Sequence, residues 1–317
     1  MPPVEIRPFS DDFLEDAGTL LAARHRAHRA AEPLLPEQYE SPGVAAAEVE
    51  SLWHSEGASG TVALRDGRAV GFLLGIRRDE SWGANVWIEP AGHAVEEAED
   101  VRDLYAAAAA RWVEEGRTRH YAIVPAESAL VDAWFRIGFG QQHAHGILEV
   151  DGPREYPPGV RRAEERDLDA LVELSPLIRQ HQALAPVFSE YRRDEDEAEL
   201  RAMLLEDIAN ERIGELVFER DGRVLGSLEV VPVEDGSTHQ GLARPDGAAL
   251  LGWIATFPEV RGSGAGLALT EGCFAWAHEH GYRTMVTDWR VTNLLSSRFW
   301  PARGFRTSFL RLYRAIP

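Results

Sequence analysis

The feature that most constrains this 317-residue chain is that it repeats itself. Val4-Glu5-Ile6-Arg7-Pro8 returns as Gly159-Val160-Arg161-Arg162-Ala163, each followed by an acidic stretch and a leucine-rich helical pattern. Arg65-Asp66-Gly67-Arg68-Ala69-Val70-Gly71 returns as Arg220-Asp221-Gly222-Arg223-Val224-Leu225-Gly226. Both copies place Asp-Gly between apolar runs, the signature of a tight hairpin. Trp112 with Gly116 returns as Trp276 with Gly281, and Trp134 to Phe139 returns as Trp300 to Phe305. The offset grows from about 154 to about 168 residues and settles near 166, which places an insertion at Pro232 to Gly247, before the fourth strand of the second copy. A chain with this symmetry is expected to fold as two copies of one unit.

Within each half the order reads strand, helices, hairpin, strand, helix, strand, helix, strand. That predicts an α/β (α+β) fold with a mixed central sheet flanked by helices. The Pro/Gly-rich stretch from Asp151 to Gly159 reads as a linker between domains 1–150 and 160–317. Helices are clearest over Leu104 to Glu115 and over Gly266 to His280.

Composition narrows the chemistry. The 33 basic side chains are all arginine, against 52 acidic ones, a net charge of −19. Without lysine there is no P-loop lysine, Schiff base or lysine general base. The acidic balance argues against a nucleic-acid partner. No apolar run approaches the roughly 20 residues that span a bilayer, so no membrane partner is expected. Cys273 is the only cysteine, which excludes an intrachain disulfide and a cysteine zinc cluster and suits a reducing cytoplasm. It is expected to be buried inside a helix and inert. His143 with His145, and His278 with His280, lack cysteine or carboxylate partners in sequence and read as surface histidines, so no metal is expected.

The stretch from Leu250 to Gly266 carries the most chemistry. An apolar strand ends at Pro258, a turn with three glycines follows, and a helix begins near Gly266. Glycines let backbone approach a ligand, and the free N–H groups of a helix N-terminus attract an anion such as a pyrophosphate. The dinucleotide fingerprint fails at Leu267, and the P-loop fails for want of lysine.

The spacing Arg-x-x-Gly-x-Gly, at Arg261, Gly264 and Gly266, resembles the GNAT N-acetyltransferase superfamily, as does a second motif downstream. After strand Thr284 to Trp289 come Asn293, Ser296, Phe299, Trp300 and Gly304-Phe305, similar to the family's C-terminal pattern. The resemblance covers residues 160–317 closely and 4–150 in pattern only, a tandem arrangement with a degenerate first domain. It implies acetyl transfer from acetyl-CoA to a primary amine in a ternary complex, and the excess of acidic residues, if it lines the cleft, favours a small cationic acceptor. It implies that Ile254, Ala255 and Thr256 offer backbone groups to pantetheine. Arg261, Gly262, Ser263, Gly264, Ala265, Gly266 and Leu267 would cradle the pyrophosphate, and Asn293 would bind the pantetheine arm. Asp288, five residues before the asparagine, stands where many members carry a glutamate base. Trp300 occupies the position of the usual tyrosine acid and cannot donate a proton near neutrality; water, Tyr313 or Tyr191 would have to substitute. His181-Gln182 and His239-Gln240, with Trp300, fall where members place acceptor contacts.

In the first copy, aligned on Pro90 and Pro258, His93 replaces Arg261, Glu96 replaces Gly264 and Ala98 replaces Gly266. Ala122 and Glu127 stand for Asp288 and Asn293. Glu96, Glu97, Glu99 and Asp100 would repel a pyrophosphate. The first domain is therefore expected to keep the fold without the coenzyme. Two alternatives are a non-catalytic acyl-CoA-binding scaffold and a transferase for longer acyl-CoA. The acidic run from Asp194 to Glu199 reads as a solvated helix face.

Overall fold

The two Asp-Gly pairs turn the chain as expected. Asp66 and Gly67 have φ of 54° and 79°, Asp221 and Gly222 have 53° and 75°, the left-handed pair that joins antiparallel strands with their natural twist. In the computed structural model, which describes residues 4–79, 82–189 and 196–317, these hairpins open two compact units. Tyr191 and Asp194 lie outside the described residues.

The first unit holds the residues up to His145, with Gln240–Pro245 and Thr307–Pro317. Its elements are β1 (Glu5–Pro8), α1 (Leu14–Ala31), α2 (Pro42–Trp53), β2 (Ala58–Arg65), β3 (Arg68–Arg78), β4 (Asn85–Ile88), β5 (His93–Val95), α3 (Asp100–Glu114), β6 (Arg119–Pro125), α4 (Ser128–Arg136) and the start of β7 (Gly140–Glu149). Strands β1, β2, β3, β4 and β6 are neighbours in that order, and β5 pairs with β3. The pair β4–β6 is parallel, from Asn85↔Arg119 to Ile88↔Ala122. Phe72, Leu73, Leu74, Leu104, Trp112 and Trp134 are buried. Burial of this kind is worth roughly 1.5–3 kcal/mol for a large apolar side chain. Gly75 leaves the room that the Trp112 ring fills, since a Cβ there would lie 2.6 Å from it.

The second unit holds Gly146–His239 and Asp246–Arg306. It comprises the end of β7, then β8 (Val160–Arg162), α5 (Leu168–Leu174), α6 (Leu177–Ala183), α7 (Glu197–Ala209), β9 (Gly214–Arg220), β10 (Arg223–Pro232), β11 (Ala248–Thr256), α8 (Ala265–Glu279), β12 (Thr284–Arg290) and α9 (Ser296–Ala302). The strand order is β8, β9, β10, β11, β12, then β7. α5, α6 and α7 cover one face through Leu171, Leu174, Leu177, Leu204, Val217 and Ala255. α8 covers the other: Leu269, Cys273 and Trp276 recur at helical spacing and are buried. Cys273 sits against Met285, Sγ to Sδ 3.8 Å, and burial pushes its thiol up.

The expected division at 151–159 does not match the spatial one strand for strand. The chain's last strand, β13 (Arg306–Ala315), pairs antiparallel with β6 from Phe309↔Pro125 to Ala315↔Arg119, and so completes the first unit. The second unit takes Gly146–Glu149 of β7, where Gly146 makes way for the Trp289 ring. Two further expectations are corrected. His143 and His145 are buried rather than on the surface, because β7 is covered on both faces over residues 143–147. The alanine-rich helix begins at Asp100 rather than Leu104, since acidic residues extend its first turn. No described helix is long and apolar enough to cross a membrane.

Candidate functional site

In the second unit, β11 is held by different lengths of neighbour on its two edges. Against β10 it pairs as far as Thr256↔Gly226, and Phe257 N–H continues to Leu225 O at 3.0 Å. Against β12 it pairs only over Ala248↔Thr284, Ala249↔Met285 and Leu250↔Val286. The Thr287 hydroxyl then donates to Leu251 O at 3.0 Å and closes the ladder. Beyond that point the two strands part. A β-bulge between Glu229 and Val230 puts Gly252 out of register, which turns the strand at the place where it leaves its neighbour. The backbone edge from Gly252 to Thr256 therefore faces a gap among the described residues. Ile254, Ala255 and Thr256 lie along it, and an extended amide-bearing arm can pair there as an added strand.

The gap leads to the glycine turn. Gly262 and Gly264 adopt φ of 79° and 91°, which side-chain-bearing residues avoid. A Cβ on Gly262, Gly264 or Gly266 would meet nothing within 4 Å, so the space over the turn is open. Gly264 caps α8 without a side-chain hydrogen bond, and there is no acidic residue in the first turn. The N–H groups of Ala265, Gly266 and Leu267 precede the first intrahelical bond, Ala268 N–H to Gly264 O at 2.9 Å. They aim the positive end of the helix dipole into that space. Arg261 and Ser263 are exposed beside them. The structure thus brings Arg261 to Leu267 together in one turn at the helix N-terminus, whose exposed donors suit an anion.

Asp288 is half-buried on β12, two residues past the last pair with β11. Its strand is tied to α6, because Arg290 Nε donates to Gln182 Oε1 at 3.1 Å. His181, next to Gln182, is half-buried on the same short helix. Asn293 is buried, and its Oδ1 accepts from the N–H groups of Leu295 at 3.1 Å and Ser296 at 3.4 Å. That side-chain oxygen holds the turn into α9. Trp300 is 4% exposed and packs edge-on against Phe299 and Phe305, so the structure gives it a core position. His239 is buried in the segment between β10 and β11. Tyr313 lies on β13 in the first unit with its ring against Tyr121.

Sequence reading missed a group of carboxylates beside the gap. Glu229 stands opposite Glu215 on β9 and opposite Trp253 on β11. Gly252 is the reason its carboxylate can lie so close to β11, since a Cβ there would fall 2.4 Å from Glu229 Oε1. Burial pushes the Glu229 carboxyl up and Asp207 on α7 adds to it, while a hydrogen bond with Trp253 pulls it back. A glutamate inside a largely apolar strand (Val224-Leu225-Gly226-Ser227-Leu228-Glu229) was the available signal.

The equivalent place in the first unit is filled. His93 is fully buried, and one ring nitrogen lies 3.2 Å from Ile123 O on β6, one residue past the last β4–β6 pair. Arg24 from α1 donates to Pro90 O at 2.7 Å and to His93 O. Burial lowers the Arg24 guanidinium to about 9 and the His93 imidazole to about 3. At α3, Asp100 takes both oxygens to Arg65 at 2.9 and 3.0 Å, and Glu96 pairs with Arg68 at 2.8 Å.

Residues 179–305 match the model of the acetyltransferase (GNAT) family. No curated protein matches the chain. The fold of the whole chain is shared with a GCN5-related N-acetyltransferase from Sphaerobacter thermophilus, at 14% identity and a TM-score of 0.57, covering 98% of this chain and 95% of that one. It is also shared with the GCN5-related glucosamine N-acetyltransferase region of a fungal multi-domain GH3 β-N-acetylglucosaminidase, at 15% identity and a TM-score of 0.54, covering 98% of this chain and 38% of that one. A tandem GNAT protein from the clavulanic acid biosynthesis pathway is similar at 17% identity and a TM-score of 0.49, over 99% of both chains.

Proposed function

We propose that the second unit, whose domain belongs to the acetyltransferase (GNAT) family, transfers an acetyl group from acetyl-CoA to a primary amine of a small cationic molecule in the cytoplasm. The observation that carries this reading is the open gap between β11 and β12 leading to the unobstructed glycine turn. In the reaction the neutral amine nitrogen attacks the thioester carbonyl, a C–N bond forms, and the C–S bond breaks to give the coenzyme thiolate. Asp288 receives the amine proton through a water, and water protonates the thiolate, because Trp300 is buried and its indole N–H is not an acid. Ile254 to Thr256 pair with pantetheine, Arg261 to Leu267 hold the pyrophosphate, Asn293 supports the arm, and His181 and His239 serve the acceptor side. The first unit, with its loop filled by His93 and Arg24, supplies fold without coenzyme binding.

Two measurements test the reading. Calorimetry should show one acetyl-CoA bound per chain, and the absence of binding ends the proposal. A thiol-release assay against polyamines, aminoglycosides, amino acids and peptide N-termini should find turnover that Asp288→Asn reduces by at least tenfold. Tight binding without turnover would instead identify a non-catalytic acyl-CoA scaffold.

A further inference from the structure

Two of the chain's other buried carboxylates are paired with arginine: Asp100 with Arg65 at 2.9 Å and Asp167 with Arg161 at 2.7 Å. Buried charge without a partner costs several kcal/mol, so such pairing is the rule. Glu215 departs from it. It is 1% exposed, its Oε1 accepts from the Ser227 hydroxyl, and its Oε2 has no hydrogen-bond partner. Directly across the ladder stands Glu229, and α7 brings Asp207 close enough for its charge to act on both. Among the described residues, no basic side chain is one of the groups acting on any of the three. Three converging carboxylates with no arginine among the described residues leave a place for positive charge.

The position of the cluster indicates what would meet that demand. Glu229 and Trp253 are half-buried and Gly252 is exposed, so the cluster opens to solvent at the bulge where β11 leaves β12. Trp253 fixes Glu229 from one side and Glu215 backs it from the other. Among the described residues no group of three His, Cys, Asp or Glu is arranged to hold a metal ion. An organic ammonium differs from a metal in needing no fixed coordination shell, only acceptors around its N–H groups.

We infer that Glu229, backed by Glu215 and Asp207, is the subsite that seats an ammonium group of the acceptor at the mouth of the β11–β12 gap. The inference rests on the amine-acylating reading above and narrows its acceptor to molecules that present a protonated nitrogen. Glu229 holds the cation, and Glu215 is a positioning residue that stands directly behind it across the ladder. Glycine at 252 is part of the subsite, because any side chain there would displace the Glu229 carboxylate.

The test does not require turnover. 1,4-Diaminobutane is titrated calorimetrically into the full chain, with 1,4-butanediol as neutral control, and acetyl-CoA is titrated in parallel. Wild type should bind the diamine and not the diol. Glu229→Gln should weaken the diamine at least tenfold and Glu215→Gln at least threefold, with acetyl-CoA affinity unchanged within twofold. Equal diamine binding by wild type and both variants would overturn the inference, as would higher thermal stability in the variants with unchanged diamine affinity, which marks a purely structural carboxyl pair. A larger stabilisation by Mg²⁺ than by the diamine would also overturn it, in favour of a metal. Loss of acetyl-CoA binding in wild type, with diamine binding intact, would sink the acyltransferase reading and leave the cation subsite standing.

Discussion

Two helices at matching places in the repeat, α3 and α8, begin in opposite ways. α8 starts at a left-handed glycine with open space above it and no acid in its first turn. α3 starts after Glu99, carries Asp100 and Asp103 in its first turn, and pairs Asp100 with Arg65. Each N-terminus presents the same partial positive charge. In the first unit that charge is met by the chain's own carboxylates, in the second no acid stands in the first turn. The strand pairs differ in the same sense: His93 bridges from β5 to Ile123 on β6, whereas β11 and β12 stop pairing after Leu250↔Val286. Duplicated folds can thus keep their architecture while one copy spends its binding groups on its own stability.

The strongest way to break this contrast is to give α8 the acid that α3 has. Gly266→Glu fits sterically, since a Cβ there meets nothing within 4 Å. It should cut acetyl-CoA affinity about a hundredfold, ~2.7 kcal/mol, in calorimetry, with the melting temperature unchanged. Wild-type affinity in this variant would mean that the turn does not hold the pyrophosphate.

Emptying the first unit's filled gap should have the converse effect. His93→Ala removes a fully buried ring and should cost about 2–4 kcal/mol in denaturant unfolding, while acetyl-CoA affinity stays unchanged. His93→Glu should likewise spare the affinity and be worse for the fold, because it buries a charge. Arg261→Glu should do the reverse, abolishing binding with little change in stability.

Acid should separate the units next. Burial lowers His25, His28 and His120 to about 4 and His93 to about 3, below the unfolded value near 6.5. Their contribution is complete above pH 6.5 and is lost as pH falls towards 4, at up to about 1.4 kcal/mol per pH unit for each histidine. Burial raises Glu215, so its contribution runs the other way, complete below the unfolded value and lost as pH rises through the folded one. Hydrogen exchange at pH 7, 5.5 and 4.5 should show protection falling in β3 and α3 before β9 and β10. Simultaneous loss would mean that the two units respond to acid alike. The smallest effect should be shared by both copies. Gly67→Ala and Gly222→Ala each place a side chain at φ of 79° and 75° in open space, costing roughly 1–2 kcal/mol in either hairpin.

Much of the site was legible because it depends on backbone and on local order. A glycine turn between a strand and a helix is a contiguous feature, and residues 261–267 could be found by spacing alone. The Asp-Gly hairpins were legible for the same reason. Glu229 and Glu215 were not, because they are 14 positions apart in sequence and meet only through the ladder register. Trp300 was given an acceptor contact on position, and the structure packs its ring in the core; the Asn293 side-chain oxygen, whatever else it meets, holds a turn. Burial of a side chain is a property of what packs on it, which motif spacing does not carry.

The sequence by itself determined the duplication, the element order, the two hairpin turns and a helix N-terminus free of acid in one copy and acidic in the other. Only the tertiary structure decided that the last strand, β13, completes the first unit beside β6, and that the second unit takes Gly146–Glu149 of β7. The physical reason is that alternation in a strand specifies which faces are buried, while its choice of neighbour is set by backbone hydrogen bonds that every residue offers alike.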